Sequence, residues 1–210
     1  MSHRELVLVA GPNGSGKSTV TEEYIRDRFP AWPKLNADNV AAALARLEAP
    51  PAADEAFLKH VAGMTDHAAT VLALLETPFV LETVLSSDKY RGLVTTARRL
   101  GLIFRLVYVT TQTPVLNIAR VRQRVAAGGH DVPEDRIRAR WTRSMDNLPW
   151  FAARADRVLV LDNSGDRPAV LALRRYQGPL ELVVHKHPAS ERLLPLQGTR
   201  VLAPDARATP

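Results

Sequence analysis

The stretch Leu6-Val7-Leu8-Val9-Ala10-Gly11-Pro12-Asn13-Gly14-Ser15-Gly16-Lys17-Ser18-Thr19 decides the fold. Its first five residues are an unbroken apolar run. A half-exposed strand would alternate, so the run reads as a parallel strand buried on both faces. It ends in the pattern G-x-x-x-x-G-K-[ST], and a helix should open near Gly16 and continue to about Arg28. Strand, glycine turn and helix in that order make an anion site. Gly11, Gly14 and Gly16 let consecutive backbone N–H groups point inward. The helix N-terminus adds its partial positive charge. Lys17 is placed to reach the outer phosphates, and the Ser18 hydroxyl is the type of oxygen that binds Mg2+. Asn13, Ser15 and Thr19 complete the nucleotide-facing set. Neither an Asn-Lys-x-Asp guanine motif nor a Leu-Ser-Gly-Gly transporter signature is present, so ATP is the expected nucleotide.

Beyond the loop the chain alternates strands and helices. Pro30 and Pro33 close the first helix, and Lys34-Leu35-Asn36 reads as a short strand. Asp38 looks like the N-cap of a helix over Val40 to Leu47. A long helix fits Asp54 to Leu75. Further strands fit Phe79 to Leu81, Ile103 to Thr110 and Arg157 to Leu161. Helices fit Asp88 to Leu100, Pro114 to Ala126 and Pro133 to Asn147. Val170 to Leu173 and Leu180 to Val184 read as late edge strands. The pattern predicts an α/β protein of the P-loop NTPase/kinase class, a parallel sheet flanked by helices on both faces. Residues 1–185 form one expected domain, with a helical, arginine-rich lid at about 114–147. Residues 186–210 are an expected C-terminal extension, partly disordered and frayed after Ala203.

The 210 residues are 46% hydrophobic and 24% charged, which argues against a disordered or fibrous chain. The absence of cysteine excludes disulfides, thiolate metal sites and a thiol nucleophile. No apolar run approaches the roughly 18 residues of a membrane span. The first residues lack a secretory pattern. A cytoplasmic protein without a membrane partner is therefore expected. The net charge is +6. From Arg98 to Arg143 ten arginines face three acids, a net of +7, so the rest of the chain nets −1.

Three acids stand where strands should end, which is where open parallel sheets build their sites. Asp38 could take the proton of an acceptor hydroxyl or only cap its helix. Glu82, beside Thr83, could hold Mg2+ through water or bind a substrate hydroxyl. Asp162 closes a later apolar run of similar pattern. Arg120 and Arg124 share one helix face, as do Arg136 and Arg140 on the next helix. Two such helices joined by Gly128-Gly129-His130 suit a lid over a triphosphate, because the arginine fork binds phosphate oxygens bidentately. His130 could contact substrate or simply close the turn. His185 and His187 have no third metal ligand nearby.

Taken together these residues resemble the zeta-toxin family of P-loop kinases. The resemblance rests on residues 11–19, Asn36-Ala37-Asp38, Glu82-Thr83, and the run from Arg120 through Arg124-Val125-x-x-Gly-Gly-His-x-Val-Pro-Glu134. It continues through Arg140, Arg143-Ser144, Asn147-Leu148, Asp156 and Asp162-Asn163-Ser164. It implies an ATP- and Mg2+-dependent kinase of a small hydroxyl compound. The family's best-known acceptor is UDP-N-acetylglucosamine. By the same resemblance Lys17 and Ser18 bind phosphate and metal, and Asp38 is the base. Glu82, Thr83, Asn36 and His130 face the acceptor, Arg124 and Arg140 clamp the γ-phosphate, and Arg120 faces the nucleotide. An antitoxin protein is an implied partner. Glu82-Thr83-Val84 stands where the family has Glu-Gly-Thr, and larger members carry more substrate-binding elements.

Two other functions share the loop. A polynucleotide kinase would bind oligonucleotides in a strongly salt-dependent way. Aromatics are only 6% of the chain, however, and Trp141 is the single one from Arg120 to Arg143, so nucleic acid is not an expected partner. An ATP-dependent binding module without transfer would have no use for an acid placed as Asp38 is.

Overall fold

The computed structural model describes residues 4–48, 55–129, 131–184 and 186–202. Its strands are β1 Glu5–Ala10, β2 Lys34–Leu35, β3 Phe79–Thr83, β4 Ile103–Thr110, β5 Arg157–Asp162, β6 Ala169–Arg174, β7 Glu181–Leu182 and β8 Arg200–Val201. They form one sheet in the order β2-β3-β1-β4-β5-β6-β7-β8. β2 to β5 are parallel, β6 and β7 join antiparallel, and β8 runs parallel to β7. The expected α/β class is what the chain adopts, but the late strands β6 and β7 are not edges, because β6 lies between β5 and β7 and β7 lies between β6 and β8. β8 brings the C-terminal segment into the sheet. Residues 203–210, expected to fray, lie outside the described residues.

The helices are α1 Lys17–Val20, α2 Ala37–Glu48, α3 Glu55–Leu74, α4 Arg91–Arg99, α5 Pro114–Ala126, α6 Glu134–Arg154 and α7 Pro188–Leu193. They cover both faces, which is why β1 is apolar from Leu6 to Ala10. Leu6, Leu8 and Ala10 pack with Ala69 and Ala73 of α3, Val94 and Ala97 of α4, Met145 to Ala152 of α6, and Ala189 and Leu193 of α7. Val7 and Val9 point the other way, onto Val20, Ile25 and Phe29. Period-2 geometry sends alternate side chains to opposite layers, so a strand between two layers must be apolar at every position. Ile118, Val121, Val132 and Ile137 form a separate small core between α5 and the start of α6.

Two elements differ from expectation. The first helix passes after Val20 into a π-helical turn over Thr21–Ile25. α6 does not stop at Asn147 but continues to Arg154 through Pro149. Proline removes one intrahelical donor there. Leu148 just before it and Phe151 and Ala152 beyond it are buried, and that burial outweighs the loss. The fold also divides the basic segment. Arg98 and Arg99 end α4, and Arg105 lies near the start of β4 on Glu5 at 2.6 Å. Arg120 to Arg143 ride on α5 and α6. Contiguity in sequence is not contiguity in space when a strand runs from one end of the sheet to the other.

Candidate active site

The phosphate loop is held by its neighbours as much as by its own glycines. Gly11, Gly14 and Gly16 have φ of +146°, +75° and +91°. A Cβ at Gly11 would lie 1.9 Å from the Val109 carbonyl oxygen. One at Gly14 would lie 2.5 Å from that of Asn117, and one at Gly16 would lie 2.2 Å from Asn163 Nδ2. Asn117 on α5 and Asn163 after β5 are there for a reason. Asn117 Nδ2 donates to the Asn13 carbonyl at 2.5 Å, and Asn163 Nδ2 donates to the Ser15 carbonyl at 2.9 Å. Thr111 Oγ1 in turn donates to Asn117 Oδ1. Two amides thus clamp the loop from its two flanks.

Lys17 is buried, with Nζ donating to the Pro12 carbonyl at 3.1 Å. Burial lowers its pKa, the nearby Glu82 and Asp38 carboxylates raise it, and Arg124 and Arg140 lower it again. Lys17, the acids Asp38 and Glu82, and Arg124 of α5 and Arg140 of α6 therefore share one neighbourhood. Ser18 Oγ donates to Glu82 Oε1 at 3.4 Å. A hydroxyl and a carboxylate facing each other are hard oxygen donors of the kind Mg2+ prefers, and these residues fit that ion. Ser15 is buried with its hydroxyl unpaired, while Thr19 is exposed.

The capping of α2 goes to Asn36, not Asp38. Asn36 Oδ1 accepts from the N–H groups of Asp38 and Asn39 at 2.9 and 3.3 Å. Asn36 has the short side-chain carbonyl a cap requires and sits one residue before the first helical position. Asp38 lies in the first turn, exposed, with its carboxylate left for other work. Thr83 Oγ1 accepts from the Leu85 N–H at 3.2 Å, at the start of the loop that follows β3.

The arginines separate by role. Arg140 Nη1 donates to Asn13 Oδ1 at 3.2 Å. Its pKa is lowered by burial and by Arg136 and Arg143, and raised by Asp38. Arg143 Nε donates to the Ser86 carbonyl at 3.2 Å. Arg120 Nη1 is buried without a hydrogen bond among the described residues. Arg122 of α5 pairs with Glu134 at the start of α6. His130 lies outside the described residues. Asp162 accepts from Ser164 N at 3.0 Å and Ser164 Oγ at 2.6 Å, so it fixes a turn. His187 Nδ1 accepts from Ala189 N at 3.0 Å and caps α7. Among the described residues no group of three His, Asp or Glu could hold a metal by itself. No described helix is long and apolar enough to cross a membrane.

Sequence reading missed Asn117 and the contacts that Asn147 and Asn163 make. Asn117 left a signal: it sits on the inward stripe of α5 with Ile118 and Val121, where a polar residue needs a partner. Asn147, quoted in the resemblance without a role, donates from Nδ2 to the Leu85 carbonyl at 3.1 Å.

Known proteins of this shape carry the same fold. A chain of the PezAT chromosomal toxin-antitoxin system of Streptococcus pneumoniae superposes with a TM-score of 0.60 at 17% identity, over 78% of this chain and 69% of that one. The AvrRxo1-ORF1:-ORF2 complex solved with ATP gives 0.63 at 12% identity, over 99% of this chain. This chain spans 66% of that chain's length. By sequence, an uncharacterized protein of Haemophilus influenzae is 27% identical over 135 residues, 64% of this chain and 91% of that protein. The fold is that of a zeta-toxin-like P-loop kinase, as the sequence resemblance implied. The pattern of the AAA domain family AAA_33 matches residues 6–148, well over half of the chain, and the protein belongs to that family.

Proposed function

We propose that this protein is an ATP-dependent phosphotransferase that moves the γ-phosphate to a hydroxyl of a small molecule. The observation that carries the reading is the convergence of Lys17, Asp38, Glu82, Arg124 and Arg140 beside the phosphate loop. ATP is the donor because the loop is a phosphate nest and a relative of this fold was solved with it. Asp38 accepts the proton of the acceptor hydroxyl. The oxygen then bonds to the γ-phosphorus as the bond to the β–γ bridging oxygen breaks, and ADP leaves. Lys17, Arg124 and Arg140 hold the oxygens of the phosphoryl group as charge spreads over them. Mg2+ held at Ser18, with Glu82 reaching it through water, would neutralise phosphate charge. Glu82 and Thr83 orient the acceptor.

The acceptor class is a hydroxyl-bearing metabolite, with sugar nucleotides such as UDP-N-acetylglucosamine the leading candidates. A protein antitoxin is a candidate partner, because relatives of this fold were solved within toxin-antitoxin and two-component complexes. The test is transfer of label from γ-labelled ATP to sugar nucleotides, small alcohols and short oligonucleotides, with Lys17→Ala alongside. Label on a sugar nucleotide, lost in the variant, is the expected result. Asp38→Asn should lower transfer by roughly 10²- to 10⁴-fold while ATP still binds. Near-normal turnover in that variant removes Asp38 from the role, and label appearing only as free phosphate removes the acceptor.

A further inference from the structure

The amino ends of the strands, opposite the phosphate loop, carry a second set of arginines that phosphoryl transfer does not use. Arg98 and Arg99 end α4, Arg154 ends α6, Arg157 opens β5, and Arg174 closes β6 with Arg175 next to it. Antiparallel pairing brings them together: Val158 stands opposite Arg174, so the end of β6 meets the start of β5. Asp156 and Glu181 are the acids among them, which leaves this group at +4. Asp156 accepts from the Phe104 N–H at 2.8 Å and lies 3.5 Å from Arg98. Glu181 lies 3.1 Å from Arg175 in an exposed pair of the kind that exchanges readily.

Part of this charge has a structural role. Arg174 Nη1 donates to the carbonyls of Ala152 and Ala155 at 2.8 and 2.9 Å. Arg154 Nη1 donates to that of Trp150 at 3.2 Å. Both cap the end of α6, where cations are favoured. Capping does not account for the rest. Arg99 has no ion pair or hydrogen bond among the described residues. The Nε atoms of Arg157 and Arg174 are buried without a partner.

An aromatic ring stands among these forks. Tyr176 is 48% exposed, and the Arg157 guanidinium lies 5.4 Å from its ring centroid. The turn that presents it is fixed: Gln177 has φ +55°, its N–H donates to the Asp156 carbonyl at 3.2 Å, and the Gly178 N–H donates to that of Arg175 at 2.8 Å. A preformed exposed ring flanked by guanidinium groups can stack a base while the forks hold the adjoining phosphates. A duplex keeps its bases stacked inside. An acidic peptide has no flat group for the ring. A bilayer surface would call for projecting apolar side chains rather than one tyrosine.

We propose that this pole binds single-stranded nucleic acid, with phosphates on Arg99, Arg157 and Arg175 and a base stacked on Tyr176. It is independent of the transferase reading and of the nucleotide site.

The test is fluorescence anisotropy of a labelled 12-nucleotide single strand with the full chain, from about 50 to about 300 mM KCl. Three phosphate contacts should give a log–log salt slope of about −2. Tyr176→Ala should weaken binding about tenfold, and Tyr176→Phe should keep it. Arg99→Ser with Arg175→Ser should flatten the slope by about 1.4. ATP should not compete, and Lys17→Ala should bind as well as the parent. Melting temperature, followed in parallel, shows that each variant is folded. Three results would overturn the proposal. The first is no binding at the lowest salt. The second is competition by ATP, which would put the strand in the nucleotide site. The third is unchanged affinity in Tyr176→Ala together with equal binding to phosphatidylglycerol vesicles, which would reduce the pole to general charge. None of these outcomes depends on whether an acceptor for phosphate transfer is found.

Discussion

Lys17 illustrates how single residues set the chemistry. Burial pushes its pKa down, and the Glu82 and Asp38 carboxylates push it back up. Glu82→Gln removes the larger of the two opposing charges, so the ammonium form should be lost at lower pH than in the parent. ATP affinity, measured from neutral to alkaline pH, should therefore fall earlier in that variant. Coincident profiles would show that Glu82 does not act on Lys17. Gly16→Ala tests the loop's shape. Its φ of +91° and the overlap with Asn163 Nδ2 both resist a methyl group. Nucleotide affinity should fall by roughly tenfold or more in a titration, since left-handed backbone alone costs an L-residue about 1–2 kcal/mol. What was legible at this scale was local. Residues 11–19 announce their own chemistry, and Asp38 and Glu82 follow from the rule that strand ends carry sites. The partners of the clamping amides were not legible, because their bonds cross 104 residues from Asn117 to Asn13 and 148 from Asn163 to Ser15. Asp38 reads equally as a base or a cap, because Asn36 and Asp38 are both capping types and only the helix start at Ala37 gives the cap to Asn36.

Helix α6 does at the scale of an element what no single residue can. Its 21 residues span about 31 Å. Along that length it touches the phosphate loop through Arg140 on Asn13. It touches the loop after β3 through Arg143 on Ser86 and Asn147 on Leu85. It is also anchored to the sheet by a hydrogen bond between Ser144 and Tyr108 at 2.9 Å. One helix therefore sets the spacing between the phosphate loop and the loop after β3, the donor and acceptor sides of the proposed transfer. Leu85 needs the support: its φ is +60°, an unusual conformation for a branched residue, and its side chain is buried. Asn147 Nδ2 holds its carbonyl, and Arg91 Nη2 donates to Asn147 Oδ1 at 3.1 Å. Asn147→Ala should lower stability by about 1–3 kcal/mol in chemical denaturation, because it leaves a donor and an acceptor unpaired. It should also raise KM for the acceptor several-fold while KM for ATP stays nearly constant. Equal rises in both would mean that the helix does not separate the two sides. The sequence showed the first two-thirds of this helix. The remainder depends on apolar partners supplied by the sheet, which outweigh the proline.

The molecule as a whole ties its C-terminal segment to the phosphate loop. β5 pairs with β4, β6 with β5, and α7 packs on α6. The sequence predicted the alternation, but it placed β6 and β7 at the edge where β8 stands, because strand order is a long-range property that single-chain periodicity does not encode. The link is His187. It is 2% exposed, its Nδ1 accepts the Ala189 N–H, and its Nε2 lies 3.7 Å from Asp162 Oδ1. Asp162 fixes the turn with Ser164, and the neighbouring Asn163 holds Ser15. Burial lowers the His187 pKa, with Asp162 and Glu191 raising it in part. The folded protein thus binds this proton less readily than the unfolded chain. The unfolding free energy should rise with pH between the folded value and the ordinary histidine value of about 6.5, and be lost as pH falls through that window. A proton on Nδ1 would also displace the cap of α7. Urea denaturation at several pH values from about 7.5 to about 5 should show that loss. His187→Asn keeps a capping oxygen without a titrating group, so its stability should be flatter over the same range. A variant that loses stability as steeply as the parent would assign the acid sensitivity to other groups and leave α7 merely packed against the core.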